Sequence, residues 1–237
     1  MRVCMFHPLD RPMERGWVGC IDGGRVIHLA AQTLQSFFTG GAAAREHAEY
    51  ALSDVRLLAP VLHPPAVRVF EAGGSFVFAN PAAIVGPGEH IPVSPSGRLL
   101  LVPRLAAVIG EPGIIAGFSA FAEWCDPTRT APKDRDFALG LGPSVCTVDA
   151  LDPDGLGAIV RVDDRLEHTG AFVGFDWAAA VALAAERTEL RPGDVLAGPG
   201  LGVVEVTAGS AVELEVEGVG VLASSATAEG VVGPGES

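Results

Sequence analysis

Apolar and polar residues alternate in short runs along most of this chain, a pattern typical of β-strands with one buried face. Three such runs, at residues 2–6, 17–21 and 25–29, predict a small N-terminal sheet with a tight turn at Asp22-Gly23-Gly24. Further strands are predicted at residues 67–70, 75–78, 90–93, 98–109, 114–121, 203–206, 212–216 and 218–222.

Two segments favour a helix instead. Residues 41–52 are rich in alanine and carry Arg45, Glu46 and Glu49 to solvate one face. Residues 177–187 are also rich in alanine, and Asp176 is placed to cap their N-terminus. The chain is therefore predicted to have an α+β fold that is mainly β, with its 30 glycines and 18 prolines supplying turns.

The composition of the chain argues against nucleic acids and membranes as binding partners. The formal net charge is −13 and the 16 Lys and Arg residues are scattered, which argues against binding to nucleic acid. No apolar run has the length of a bilayer span or of a signal peptide, so we expect no membrane association and a cytoplasmic location. The four cysteines form no C-x-x-C pair and are expected to be reduced thiols.

Several motifs, in shared order and spacing, resemble the fumarylacetoacetate hydrolase family. They are Val55-Arg-Leu-Leu-Ala-Pro60, Phe78-Ala-Asn-Pro-Ala-Ala-Ile-Val-Gly-Pro-Gly88, Ala106-Ala-Val-Ile-Gly110, Gly117-Phe-Ser-Ala-Phe121, Lys133 with Asp136-Phe137, Leu141-Gly-Pro143, Leu190-Arg-Pro-Gly-Asp-Val195 and residues 212–222. The resemblance implies a mixed β-roll, usually dimeric, that acts on oxo acids or β-dicarbonyl compounds. It divides the chain into a small N-terminal β/α segment (1–54), a β-roll core (55–225) and a flexible tail (226–237).

The departures from the family pattern fall where the family binds its metal. The resemblance implies a Mg²⁺ held by a Glu-x-Glu pair and a third acid, but the corresponding residues here are Val102, Arg104 and Glu123. Val102 has no donor atom, and the Arg104 guanidinium is a permanent cation. We therefore predict no tightly bound metal and no other cofactor. The family loop that carries a His and a Glu is shortened to the segment after Phe70, where only Glu71 is acidic.

The remaining candidate residues follow from the same resemblance. Arg104 is predicted to replace the ion in stabilising an enolate or oxyanion, with Lys133 assisting it, Glu123 orienting it or acting as general base, and Asp136 holding Lys133. Glu71, His168 and Pro199, the last within Ala197-Gly-Pro-Gly200, are candidates for binding substrate. A purely structural role, in which Arg104–Glu123 and Lys133–Asp136 are ion pairs without chemistry, explains the same residues.

Three functions are consistent with this sequence. The first is a metal-independent enzyme that enolises, decarboxylates, dehydrates or cyclises a small oxo acid or β-dicarbonyl compound. The second is a non-catalytic binding subunit of an active paralogue. The third is a Mg²⁺-dependent C–C bond hydrolase with other ligands. A homodimer, or a pair with a paralogous subunit, is implied by the resemblance alone.

Overall fold

A computed structural model describes residues 1–228 of the protein, and most of these residues lie in two β-sheets. The larger sheet is built from β1 (Arg2–Pro8), β2 (Trp17–Asp22), β3 (Arg25–Leu29), β4 (Glu46–Ala51), β5 (Val55–Leu58), β6 (Val67–Phe70), β7 (Phe76–Ala79), β8 (Ile84–Val85), β10 (Arg98–Glu111), β11 (Ile114–Cys125), β12 (Leu139–Thr147), β15 (Val195–Ala197) and β16 (Val204–Thr207). The smaller sheet is built from β9 (Glu89–Val93), β13 (Leu156–Val162), β14 (Arg165–Phe172), β17 (Ala211–Val216) and β18 (Gly220–Ala228).

The long hairpin β10–β11 lies at the centre of the larger sheet, whose main path is β4-β3-β2-β1-β12-β11-β10-β15-β6-β7. Neighbouring strands pair antiparallel except β12 with β8 and β15 with β6, and the smaller sheet, ordered β14-β13-β17-β18-β9, is antiparallel except for β18 with β9. Helices are few and short: α1 (Leu34–Thr39), α2 (Trp177–Ala184) and the 3₁₀ turns Leu52–Asp54 and Pro81–Ala83. The predicted mainly β fold is confirmed.

The side chains of β10 alternate between two core clusters, one on each face of the larger sheet. Leu101, Leu105 and Ile109 point to the smaller sheet, where they share a cluster with Leu214 and Leu222. The opposite face of β10 packs through other residues, among them Ala106 and Val108, against the N-terminal elements. Strand β1 pairs with β12, so the strands of the predicted N-terminal segment continue the larger sheet rather than forming a separate one.

The predicted helix at residues 41–52 is wrong. The helix in this region is α1, which begins after its N-cap Thr33 and ends at Thr39, before residue 41. Residues 46–51 form strand β4. The pairing of β4 with β3 and the ion pair of Arg25 with Glu49, at 2.8 Å, outweigh the modest helix propensity of the alanines. Helix α2 is confirmed with Asp176 as its N-cap, although it ends at Ala184 rather than at residue 187.

Three residues of the predicted C-terminal tail lie in a strand. Residues 226–228 belong to β18, where they pair with β9, and residues 229–237 lie outside the described part of the chain. Within residues 1–228, neither helix has the length and apolar character needed to cross a bilayer.

Candidate active site

The hairpin β10–β11 sets the position of the two central side chains of the site. Val102 lies directly opposite Glu123, and Arg104 lies opposite Phe121, so all four side chains point to one face of the sheet. Arg104 and Glu123 are diagonal neighbours across this ladder, within reach of each other's long side chains. The predicted alternation along residues 98–109 places Val102 and Arg104 on this face, and β11, which extends beyond the predicted end at residue 121 to Cys125, adds Glu123.

Arg104 and Glu123 form a buried ion pair. Their exposed fractions are 3% and 1%. Arg104 Nε donates to Glu123 Oε2 at 2.8 Å, and Nη2 lies 2.7 Å from the same oxygen. Nη1 donates to the carbonyl oxygens of Phe70 and Gly198, both at 2.9 Å. The guanidinium is thus fixed by acceptors on three segments of the chain, which removes most of its conformational freedom.

This ion pair lies in the wall of a cavity of about 520 Å³. Charged residues make up half of the lining, which also includes apolar side chains and the short loop after β15. Besides Arg104 and Glu123, the charged lining residues are Glu71, Asp126, Arg129, Asp134 and Arg135. The cavity therefore offers fixed positive and negative groups side by side, as proton transfer and oxyanion stabilisation require.

Glu71 follows directly after β6 and is half-exposed in this cavity. Its Oε1 lies 3.7 Å from Arg104 Nη2, which is beyond hydrogen-bonding distance. Nη2 carries two N–H groups, and only one of them is needed for the contact with Glu123. One N–H of Arg104 is therefore left on the side of the cavity that faces Glu71.

The loop between β11 and β12 contributes residues that sequence reasoning missed. Arg135 Nη1 lies 3.4 Å from Glu123 Oε1, and its Nε donates to Asp134 Oδ2 at 3.0 Å. Burial, the largest single effect, lowers the pKa of the Arg135 guanidinium, but the hydrogen bond to Asp134 and the nearby negative charges together outweigh it, so the pKa is raised. Arg129 lies on the same rim, with Nε 3.8 Å from Asp126 Oδ2. The only signal in the sequence was the density of charged residues between positions 126 and 136.

Several solved structures share the fold of this chain. No protein-family model and no curated protein matches the sequence. Maleylpyruvate hydrolase from Sphingobium sp. SYK-6 matches with a TM-score of 0.81 and 22% identity, over 96% of this chain and 100% of that one. Its complex with manganese(II) and pyruvate matches with a TM-score of 0.79 and 21% identity, over 96% and 99%.

Two further proteins match over nearly their whole length. 5-Carboxymethyl-2-hydroxymuconate delta-isomerase from Mycobacterium smegmatis gives a TM-score of 0.77 with 22% identity, over 97% of this chain and 100% of that one. Fumarylacetoacetate hydrolase from Exiguobacterium antarcticum gives 0.79 with 21% identity, over 97% and 100%. This chain has the fumarylacetoacetate hydrolase fold. The resemblance predicted from its motifs is confirmed at the level of the fold.

Within this fumarylacetoacetate hydrolase fold, the residues at the expected metal position do not fit a divalent cation. Glu123 is the one carboxylate among the three corresponding residues, and its Oε2 already bonds to Arg104. A dication bound there would lie against a buried guanidinium, which is unfavourable on charge. Within residues 1–228, no group of three or more His, Cys, Asp or Glu side chains is arranged to hold a metal.

The structure does not bring Lys133 and Asp136 to Arg104. Lys133 Nζ lies 2.7 Å from Asp136 Oδ2, as the sequence predicts for an ion pair, but its side chain is 74% exposed. Both residues line a neighbouring cavity of about 220 Å³. Asp126 and Arg129 line both cavities and so form the wall between them.

His168 and Pro199 flank the cavity without lining it. The ring of His168 packs against Gly202, which is a lining residue, and its Nε2 is buried without a hydrogen-bond partner among the described residues. Pro199 lines a separate, mostly apolar pocket of about 220 Å³ next to Phe175 and Trp177. The two pockets meet only at Gly200.

Cys125 lines the Arg104 cavity but is not poised to react. Burial, followed by the negative charge of Glu123, raises the pKa of its thiol to about 11. A thiol with such a pKa is almost fully protonated at neutral pH, and the thiolate is the nucleophilic form.

Proposed function

We propose that this protein is a metal-independent enzyme that acts on a small oxo acid or β-dicarbonyl compound in the Arg104 cavity. Enolisation, decarboxylation, dehydration and ring closure of such compounds share one demand, a stabilised negative charge on a carbonyl oxygen. The observation that carries the proposal is the buried Arg104 guanidinium, fixed on Glu123 in the wall of an open cavity. It supplies positive charge where the family resemblance places an ion.

The remaining N–H of Arg104 Nη2 is the group that would receive the substrate's carbonyl oxygen. When a proton leaves the adjacent carbon, its bonding electrons move to that oxygen and make it an enolate. A fixed donor stabilises this charge with little reorganisation, because four contacts already hold the guanidinium in place. Removal of carbon dioxide from a β-oxo acid forms the same enolate, so one site serves both reactions.

Glu71 is the residue best placed to move the proton. Its carboxylate is half-exposed, lines the cavity and makes no hydrogen bond to the described residues. Glu123 is less suited to this role, because arginine side chains contact both of its oxygens. In the proposed step, Glu71 takes the proton from carbon beside the carbonyl and returns it to the enolate, so the carboxylate is regenerated.

The comparisons support an enzyme of this general type. The matched proteins are named as hydrolases and an isomerase, and one of them is seen with pyruvate, itself an oxo acid. In the present chain we assign the same region to metal-free chemistry, because a guanidinium lies at the metal position.

The test is exchange of carbon-bound protons. Pyruvate is incubated with the protein in D₂O containing EDTA, and loss of the methyl signal is followed by ¹H NMR. We expect catalysed exchange, and we expect Glu71→Gln to slow it about a hundredfold or more, the usual contribution of a general base. Glu189→Gln, at an exposed position away from the cavity, is the matched control.

Two results would contradict the proposal. Exchange that is equally fast in the Glu71→Gln variant would remove Glu71 from the chemistry. Exchange that appears only after Mg²⁺ or Mn²⁺ is added would favour a metal-dependent C–C bond hydrolase instead.

A second candidate is a non-catalytic binding subunit. It is favoured by the saturation of Arg104, since most of its five N–H donors already bond to protein acceptors. In that case the ion pair only fills the metal position, and a homodimer or a pair with an active paralogue would be the functional form. Absence of exchange with a panel of oxo acids, together with co-purification of a paralogous chain, would support this candidate.

A further inference from the structure

The cavity contains a second cationic side chain, Arg135, which has no role in the proposed proton transfer. Arg135 lies in the loop between β11 and β12, and its side chain is 42% exposed. Backbone hydrogen bonds order this loop, among them Asp126 N to Asp134 O and Arg129 N to Asp126 O at 3.2 Å. Asp126 adds order by accepting from the backbone and hydroxyl of Thr128. The position of Arg135 at the cavity is thus set by a structured loop.

Arg135 is only partly used by the protein. Its Nε is bonded to Asp134, whereas the contact of its Nη1 with Glu123 is long, at 3.4 Å. Its Nη2 makes no hydrogen bond to the residues between 1 and 228. By comparison, Arg104 reaches Glu123 at 2.7 and 2.8 Å. Arg135 therefore has free donors on an accessible edge, and Arg104 has almost none.

Glu123 does not depend on Arg135 for its charge balance. If Arg135 turned away, Oε2 would keep both contacts with Arg104 and only the long contact at Oε1 would be lost. Arg135 can thus turn to a ligand without leaving a buried carboxylate unpaired, which is the costly event in such clusters.

The free edge of a guanidinium matches a carboxylate. Two parallel N–H groups of arginine bind the two oxygens of a planar anion, with a strength and geometry that a single point charge does not reproduce. Arg104 and Arg135 contact different oxygens of the same Glu123 carboxylate, so they are close neighbours in the cavity. A small molecule can therefore reach both of them at once.

We propose that Arg135 is a specificity-determining residue that binds a carboxylate of the substrate while the carbonyl oxygen lies at Arg104. This inference rests on the proposed function and narrows it, because it selects oxo acids over neutral β-dicarbonyl compounds. Arg129, farther out on the same rim and mostly exposed, adds positive charge along the approach to this site.

The test compares an anionic probe with a neutral one of similar shape. Binding of pyruvate and of pyruvamide is measured by calorimetry at low ionic strength for the wild type, Arg135→Gln and Arg135→Lys. We expect Arg135→Gln to weaken pyruvate binding about ten- to a hundredfold and to leave pyruvamide binding unchanged, as for loss of a charged hydrogen bond. The pyruvate affinity of Arg135→Lys should lie between those of the wild type and Arg135→Gln, because lysine keeps the positive charge but lacks the two parallel N–H groups of arginine.

The matched control is Arg98→Gln. Arg98 is also half-exposed and ion-paired, with Glu205 at 2.8 Å, but it does not line the cavity. It should bind both probes as the wild type does. The inference is overturned if the wild type binds pyruvate no better than pyruvamide, if it binds neither, or if Arg135→Gln behaves like Arg98→Gln.

Turnover separates this inference from the proposed function. In the exchange assay, Arg135→Gln should raise KM for pyruvate and leave kcat within about twofold, the behaviour of a residue that contributes to binding alone. Selective pyruvate binding without any exchange would refute the proposed chemistry and leave the role of Arg135 standing. Glu71-dependent exchange with an unchanged KM in Arg135→Gln would refute the role of Arg135 and leave the proposed chemistry standing.

Discussion

At the scale of single residues, the replacement of an acid by Arg104 changes what holds the site together. Glu123 is almost fully buried, and its charge is balanced chiefly by one guanidinium. A buried carboxylate that loses its partner is strongly destabilising, whereas replacing both members of a pair by apolar groups is often neutral. Removing either Arg104 or Glu123 alone should therefore destabilise the fold more than replacing both with apolar residues.

Arg104→Met should lower the free energy of unfolding by about 3–5 kcal/mol, because it leaves Glu123 with only the long contact to Arg135. The double variant Arg104→Met/Glu123→Leu should recover most of that loss. Both are measured by urea denaturation. Arg98→Met, which breaks the exposed pair with Glu205, is the control and should cost about 0–1 kcal/mol. A loss in Arg104→Met no larger than in Arg98→Met would show that Glu123 is not held as described.

At the scale of elements, helix α2 supports the site through aromatic contacts. Trp177 begins the helix and packs edge-to-face on Phe175, with ring centroids 4.8 Å apart. Phe175 in turn packs on Phe70, at 5.6 Å, and the Phe70 carbonyl accepts from Arg104. Asp176, which caps this short helix, is therefore linked to the Arg104 guanidinium through Trp177, Phe175 and Phe70.

Asp176→Ala should lower the free energy of unfolding by about 1 kcal/mol, because the backbone N–H of Ala179 loses the acceptor that it now has at 2.9 Å. Asp176→Asn keeps an acceptor oxygen and should be close to the wild type. Glu189→Ala, at an exposed site beyond the helix, should change stability by less than about 0.5 kcal/mol. Thermal or urea unfolding measures all three, and equal stability of the two alanine variants would exclude the cap as a stabilising feature.

At the scale of the whole molecule, the cavity is assembled from segments far apart in the chain. Strands β10 and β11 supply Val102, Arg104 and Glu123, while Glu71, the loop before β12 and the loop after β15 close around them. Among these residues, Val102 and Arg104 on β10 are the two that lack the carboxylate a divalent cation needs.

Val102→Glu/Arg104→Glu should therefore bind Mn²⁺, because it places two carboxylates beside Glu123 on one face of the hairpin. Binding is measured by electron paramagnetic resonance of free Mn²⁺, with Val102→Gln/Arg104→Gln as the matched uncharged control. We expect stoichiometric binding only in the acidic variant. Stoichiometric Mn²⁺ on the wild-type protein would show that the Arg104 guanidinium does not prevent metal binding.

Local pattern predicted one side of the centre of this site. Alternation along residues 98–109 requires Val102 and Arg104 to share a face. Glu123 lies beyond the predicted strand 114–121, so its place beside them was implied only by the family resemblance, and the structure supplies it by extending β11 to Cys125. The N-terminal hairpin and the cap at Asp176 followed from turn and capping residues in the same way. Each of these features depends on residues close in sequence or on neighbouring strands.

The elements that were predicted wrongly or missed depend on pairing with strands elsewhere in the chain. Residues 46–51 have alanines that favour a helix, but β3 offers them a strand edge. Strand β12 carries Gly140, Gly142 and Pro143, which indicate a turn, yet it is buried between β1 and β11.

What the sequence alone determined is therefore the mainly β fold and the placement of Val102 and Arg104 on one face of a strand, because strand period is a local property. The tertiary structure alone decided that Arg135 reaches Glu123 and that Lys133 does not reach Arg104. The physical reason is that a loop's side chains are directed by the surfaces on which the loop packs, and no periodicity encodes those surfaces.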